Sequence, residues 1–205
     1  MLTPEGEDAD EVLNKLAENQ DVDLLMLASH GKGFFERTFR GSTTYDVAKD
    51  ATIPLFIDRD DDDDNNDNLL ANIMVATDFS KRSLESLNVI RSLREYVGKV
   101  HFVHVIESYR GHNEYRTKHN DAEALLQELV DELKVFGIEA DYHISKGMAS
   151  KRIGEIAEHE NIGMIMMGRG GTDMTTGLEL GSTAENVILN VDRSILLLPA
   201  DDNDD

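Results

Sequence analysis

The sequence predicts an α/β protein whose parallel sheet is covered by helices on both faces. Three observations carry this reading. From residue 69 onward, short continuously apolar runs alternate with amphipathic stretches, the pattern of strands buried on both sides and joined by crossover helices. Apolar residues make up 40% and charged residues 30% of the 205, an ordinary globular balance in a chain long enough to bury a sizeable core. Part of the pattern also recurs. Residues 21–57 match 161–198 at an offset of 140 through a glycine-rich stretch, with Gly31 falling on Gly171, Gly41 on Gly181, Ser42 on Ser182 and Thr43 on Thr183.

Taken in order, residues 1–57 form a partial copy of the repeated unit: helix, strand "VDLLMLA" (22–28), glycine loop, helix, strand "IPLFI" (53–57). An acidic linker, "DRDDDDDNND" (58–67), leads to a complete unit over 68–200, and an acidic tail covers 201–205. Within the complete unit "NIMVAT" (72–77) reads as a buried strand. The stretch "DFSKRSLESLNVIRSLREYVG" places Leu84, Leu87, Ile90, Leu93 and Val97 on one helical face, with Ser80 as N-cap and Gly98 as stop. "VHFVHVI" (100–106) is the second strand. After a polar loop, "DAEALLQELVDELKVFG" puts Leu125, Leu126, Leu129 and Leu133 together. "DYHIS" (141–145) is the third strand, "SKRIGEIAEHEN" a short helix, "IGMIMM" (162–167) the fourth strand, "TAENVILNV" (183–191) a helix and "SILLLP" (194–199) the last strand. Met164, Met166 and Met167 read as strand core.

Bulk properties exclude several functions. The net charge of −21 repels nucleic acid and anionic membranes, so neither is an expected partner. No apolar run approaches the roughly 20 residues that span a bilayer, and the acidic start "MLTPEGEDADEV" is no secretory signal. The absence of cysteine removes disulfides, thiol nucleophiles and thiolate metal sites, and suits a cytoplasmic location. The acidic linker is not a calcium loop. Counted from Asp58, Asp63 and Leu69 stand where an EF-hand needs glycine and glutamate.

The stretch "GRGGTDMTTGLELGST" (168–183) carries the chemistry. It follows a strand, where doubly wound sheets place their ligands. Its glycines let backbone N–H groups approach an anion, and Ser182 and Thr183 begin a helix whose free N–H groups and dipole favour phosphate. A ligand-free reading stands beside this one: Ser182 with Glu185 three residues on matches a capping box. Asp78 has the same two readings, as a ligand contact or as a cap on the following helix.

The spacing Gly168, Gly171, Gly181, Ser182 resembles the signature loop of the universal stress protein family. "IMVATDFSKRSLESL", ending its first strand in Asp78, resembles that family's first strand and helix, "VHFVHVIES" its second strand and "SILLLP" its last. The resemblance covers 69–199 in full and 12–57 in part. It implies an open five-stranded parallel sheet of order 3-2-1-4-5 and, as in many members, an ATP or AMP site, with Mg2+ or Mn2+ carried by the nucleotide. By motif position Asp78 and Val105 would lie beside adenine and ribose, with Ala76 and Thr77 at the adjoining strand end. Gly168 and Gly171, with Arg169 between them, would reach ribose and the first phosphate, and Gly181, Ser182 and Thr183 the outer phosphates. The loop departs from the common pattern at Gly170, where histidine often stands. The N-terminal loop keeps that histidine, His30, but has Ala28 in place of the first glycine. The loop over 168–183 is net negative by one, and its counterpart over 28–43 is net positive by two.

The resemblance implies a regulatory ATP or AMP binder of the stress response, at most a slow ATP hydrolase, since no general base stands by the loop. No catalytic residue and no protein-held metal site are expected. The alternative is a nucleotide-free adaptor acting through protein contacts. His101 and His104, three apart on a strand, point to opposite faces and cannot share a metal. His112 and His119, with Tyr109 and Tyr115, are assigned to a polar loop, either an ordinary surface loop or a lid. "IPLFI" is expected to pair with "ILLLP" (195–199) within the chain, leaving 22–28 as a bare apolar edge. That edge predicts a homodimer or larger assembly, unless the chain is a truncated form of a full tandem protein.

Overall fold

The computed structural model describes residues 22–28, 42–59, 69–170 and 180–199. In chain order the elements are β1 (Leu25–Ala28), α1 (Ser42–Asp50), β2 (Leu55–Asp58), β3 (Asn72–Ala76), α2 (Lys81–Leu84) and α3 (Ser86–Ser92). They continue with β4 (Lys99–Ile106), α4 (Gly111–Val135), β5 (Glu139–Lys146), α5 (Ala149–His159), β6 (Met164–Gly168), α6 (Ser182–Asn190) and β7 (Ser194–Leu198). The strands form one seven-stranded sheet of order β1-β2-β7-β6-β3-β4-β5. Its last five strands are the complete unit and run in the expected 3-2-1-4-5 order. The sheet is larger than five strands because β2 pairs antiparallel with β7, Leu55 opposite Leu197 and Ile57 opposite Ile195, and β1 adds beside β2 in parallel. The intrachain pairing expected between the two apolar runs is therefore present.

Polar ties hold this junction. Ser194 Oγ accepts the Arg59 N–H at 3.0 Å and donates to Asp58 Oδ1 at 3.2 Å, while the Arg59 guanidinium donates to the Val191 carbonyl. The two copies correspond in chain position: α1 at 42–50 and α6 at 182–190 each span nine residues, at the offset of 140.

Two apolar layers flank the sheet. One face packs Val47 and Ala48 of α1, Ile153 and Ala157 of α5, and Val187 and Ile188 of α6 against Met74, Ile165 and Ile195. The other packs Leu87 and Ile90 of α3 and Leu126, Leu129 and Leu133 of α4 against Ile73, Phe102 and Met166. Each fully buried side chain of this size contributes roughly 1.5–3 kcal/mol. Of the expected α4 face, Leu125 is instead exposed and Val130 takes its place. The methionines of β6 are core, as expected.

Two helices depart from the sequence reading. The helix expected over 78–98 is two short ones. Ser83 and Ser86 hydroxyls donate to the Ser80 and Ser83 carbonyls, which competes with the helical ladder. Gly98 is not a helix stop. A Cβ there would sit 2.4 Å from the Ala71 carbonyl oxygen, so glycine is required by the close passage of two backbones, as it is at Gly163 beside Leu69. Conversely, α4 starts ten residues earlier than expected and contains His112, Tyr115 and His119, which are helical and not in a loop. Gly111, at φ +77°, begins the helix. Glu114 accepts the Arg110 N–H at 2.6 Å and pairs with Lys118 at 3.2 Å. The hydrogen bond from Arg110, with help from Lys118, holds the Glu114 carboxyl below its usual range.

Candidate functional site

A cleft of about 320 Å³ opens at the carboxyl ends of β3, β4 and β6, against the start of α6. This is where the strand order reverses, from β3 to β4 on one side and β6 on the other, and splayed connections leave a crevice at such a point. The volume falls in the range of small-ligand sites. Ala76, Thr77, Asp78, Val105, Gly168, Arg169, Gly181, Ser182 and Thr183 all line it. Gly171, the tenth residue of the expected site, lies outside the described residues, as does the N-terminal loop over 29–41.

The floor beside β3 is shaped by a tight turn. Thr77 Oγ1 accepts the Phe79 N–H at 2.9 Å, and Asp78 Oδ1 accepts the Ser80 N–H at 3.0 Å. These bonds hold Phe79 at φ 64°, a left-handed conformation uncommon outside glycine. Ser80 Oγ accepts the Ser83 N–H at 3.3 Å, the N-cap expected of it. Asp78 thus closes a turn ahead of the helix, leaving the cap itself to Ser80, and it also borders the cleft. Thr77 is fixed further by Ser83, whose hydroxyl lies 2.8 Å from its own.

The opposite wall is the glycine loop. The Arg169 N–H donates to the Leu198 carbonyl, and the Gly181 N–H donates to the Arg169 carbonyl at 2.8 Å, closing the loop's two ends on each other. Gly181 is the N-cap residue of α6, extended at φ −66°, ψ 145°, and no side chain caps the helix. The capping-box reading therefore fails. Ser182 is the first helical residue, one position too late to cap, and the Glu185 N–H bonds to the Gly181 carbonyl. The helix start faces the cleft with Gly181, Ser182, Thr183 and Ala184 in its lining, and an uncapped start leaves N–H donors for an anion.

Arg169 contributes backbone to this site but sends its side chain elsewhere. The guanidinium is buried and donates to the Lys49 and Ala51 carbonyls at 2.8 and 2.9 Å, across the end of α1. It is the only Lys or Arg among the described lining residues, whereas Asp78 and Glu107 bring two carboxylates. Backbone amides and the α6 dipole are the positive elements the cleft itself offers.

Several lining residues had no sequence signal of their own. Glu107, one residue beyond β4, accepts the Ala149 N–H at 2.7 Å and so caps α5 from another element. His104 lies 2.9 Å through Nδ1 from the Thr77 carbonyl oxygen and stacks near Phe79, ring centres 4.6 Å apart. His101 faces the other side of the sheet, as strand alternation requires, beside Asp141 and His143 of β5. That grouping joins two strands, and spacing within one strand cannot reveal it.

A family model described as "Universal stress protein family" matches residues 2–59 and 70–199. No curated protein matches the sequence at a significant level. Among solved structures, a universal stress protein from Archaeoglobus fulgidus DSM 4304 is 27% identical with a TM-score of 0.70, over 96% of this chain and 67% of its own. Two others share the fold. A protein from Pseudomonas aeruginosa UCBPP-PA14, titled a universal stress protein, is 15% identical (TM-score 0.65, 94% of this chain, 68% of its own). The universal stress protein UspA from Lactobacillus plantarum is 16% identical (TM-score 0.57, 63% of this chain, 97% of its own).

Proposed function

The chain belongs to the universal stress protein family, and from that premise we propose that it is a regulatory protein of the stress response that binds ATP or AMP in the cleft between β3 and α6. The observation that carries the proposal is the convergence of Asp78, Val105, Gly168 and the uncapped start of α6 on one hollow. Ala76, Val105, Ile153 and Met167 give its inner part apolar walls suited to a base. The glycine backbone and the Gly181–Thr183 amides give its outer part donors suited to phosphates. With Asp78 and Glu107 in the lining, a polyphosphate enters best with a divalent ion, Mg2+ or Mn2+, which offsets both sets of negative charge. The setting that suits this role is the cytoplasm, where adenine nucleotide is at hand.

Turnover beyond slow hydrolysis is not part of the proposal. Mass spectrometry of small molecules released from the purified chain tests it: ATP or AMP in stoichiometric amount supports the reading. A chain that carries none and ignores added nucleotide is instead the nucleotide-free adaptor, the reading that the carboxylates in the cleft favour.

Self-association belongs to the same proposal. The outer edge of β7 is already occupied by β2 within the chain. Among the described residues, β1 has a strand on one side only, and Leu24 before it and Met26 within it are exposed at 41% and 63%. An apolar edge of this kind is covered by a second copy in a homodimer or larger assembly.

A further inference from the structure

We propose that His101, Asp141 and His143 bind a divalent transition metal ion of the zinc class, with Glu160 as fourth ligand, at a site separate from the cleft. The site is built by register. His101 of β4 lies opposite Asp141 of β5, and His143, two residues on, shares the face of Asp141. Glu160, at the end of α5, folds over that face. The ligand atoms of the first three lie within 4.8 Å of one another.

The separations fit one ion. His101 Nδ1 is 2.9 Å from Asp141 Oδ1 and 3.9 Å from Glu160 Oε2, and His143 Nε2 is 3.8 Å from Asp141 Oδ1 and 3.8 Å from Glu160 Oε1. A tetrahedral ion with bonds of about 2.0–2.1 Å sets its ligands about 3.3–3.4 Å apart. Each of these four separations lies within about half an ångström of that spacing.

Both ring nitrogens of His101, Asp141 Oδ1 and His143 Nε2 are buried and have no hydrogen-bond partner. The short His101–Asp141 approach lacks the alignment of a hydrogen bond. Buried polar atoms are rarely left so, and one cation would satisfy three of them together. His101 is 1% exposed, and burial pushes its pKa below the usual histidine value, opposed by Asp141 and Glu160 and assisted by Lys99 and His143. Asp141, at 41% side-chain exposure, leaves a path in from solvent.

The surrounding charges orient the ligands. Lys99 Nζ holds Asp141 Oδ2 at 2.7 Å, leaving Oδ1 to face the histidines, and Glu139 at 3.6 Å partly offsets the lysine charge. His159 Nδ1 lies 2.9 Å from Glu160 Oε1. Such neighbours aim metal ligands elsewhere. Two imidazoles with two carboxylates select zinc-class ions over magnesium or calcium. Val105, in the cleft, is four residues further along β4, roughly 13 Å away, so this ion is not one carried by a nucleotide. Its occupancy ties the edge strand β5 to β4 and to the end of α5.

The test uses the full chain, stripped with chelator and titrated with Zn2+ against a chromogenic chelator, in excess Mg2+ so that the acidic runs 60–64 and 201–205 are already saturated. One zinc equivalent is expected. His143→Asn and Asp141→Asn should each lower affinity at least about tenfold, with unchanged circular dichroism in the metal-free state. Co2+ should give a visible absorption band in wild type that His143→Asn loses. Zinc displaced by Mg2+, or binding equal in wild type and a folded His101→Asn/His143→Asn variant, would overturn the site.

Discussion

The Arg169 guanidinium donates to the Ala51 carbonyl at 2.9 Å, joining residues 118 apart in the chain. It closes the end of α1, where carbonyls lack helical partners and a cation is favoured. The residue that opens the glycine loop therefore also fastens the N-terminal segment to the complete unit.

Replacing Arg169 by methionine should cost about 3 kcal/mol, since hydrogen bonds from a charged group contribute about 1.5–3 kcal/mol each and the carbonyls are left unpaired. Thermal melts read this loss. Nucleotide affinity of the folded variant should change less than threefold. A loss of affinity beyond tenfold would mean that the guanidinium leaves Ala51 and serves phosphate instead.

The two parts played by Asp78 can be separated. Asp78→Asn keeps an oxygen for the Ser80 N–H, and Asp78→Ala does not. The alanine variant should be less stable by about 1 kcal/mol, and both should weaken nucleotide binding. Full affinity in the asparagine variant would remove the carboxylate from the ligand contacts.

Gly163→Ala should destabilise more than its surroundings imply, because the added carbon would lie 2.5 Å from the Leu69 carbonyl oxygen. A loss of about 1–3 kcal/mol in chemical denaturation is expected, with no change in nucleotide affinity for the folded fraction.

These cases show which features the sequence makes legible. The two-faced packing follows from apolar runs such as "NIMVA" and from the spacing of Leu126, Leu129 and Leu133, since burial dictates it, whereas the strand order was implied by the resemblance to the universal stress protein family. The cleft was legible through the spacing Gly168, Gly171, Gly181, Ser182 after a strand, where doubly wound sheets place their ligands. Features that depend on contact between distant residues were not. The sequence of Arg169 says nothing of Ala51, and Gly98 reads as a stop until Ala71 is seen against it. His101 and His143 meet only through strand register, and the first turns of α4 escape notice because their support is polar, from Glu114 and Lys118, and not an apolar stripe.

Glu114 gives that support a pH dependence. Its folded pKa lies below the unfolded 4.5, so its stabilisation is present above pH 4.5 and is lost as pH falls through the lower folded value. Amide exchange over 111–115 in wild type should lose protection in that window. Glu114→Gln should lack the extra protection at every pH, and a parallel response in both would refute the assignment.

Met26→Lys places a charge at the exposed apolar edge of β1. Light scattering at micromolar concentration should find an assembly of two or more copies for wild type and a smaller species for the variant. A wild-type monomer would mean that the edge needs no second copy.

Calorimetric titration of ATP with magnesium into wild type and Gly181→Val tests the central claim most directly. The substitution adds a β-branched side chain to a residue that lines the hollow at the start of α6, where phosphate is proposed to sit. Wild type should bind one nucleotide per cleft, and the variant should lose at least about a hundredfold in affinity, about 2.7 kcal/mol, while remaining folded. Equal binding by the two proteins would contradict the placement of phosphate on this loop, and no binding by wild type would contradict nucleotide recognition altogether.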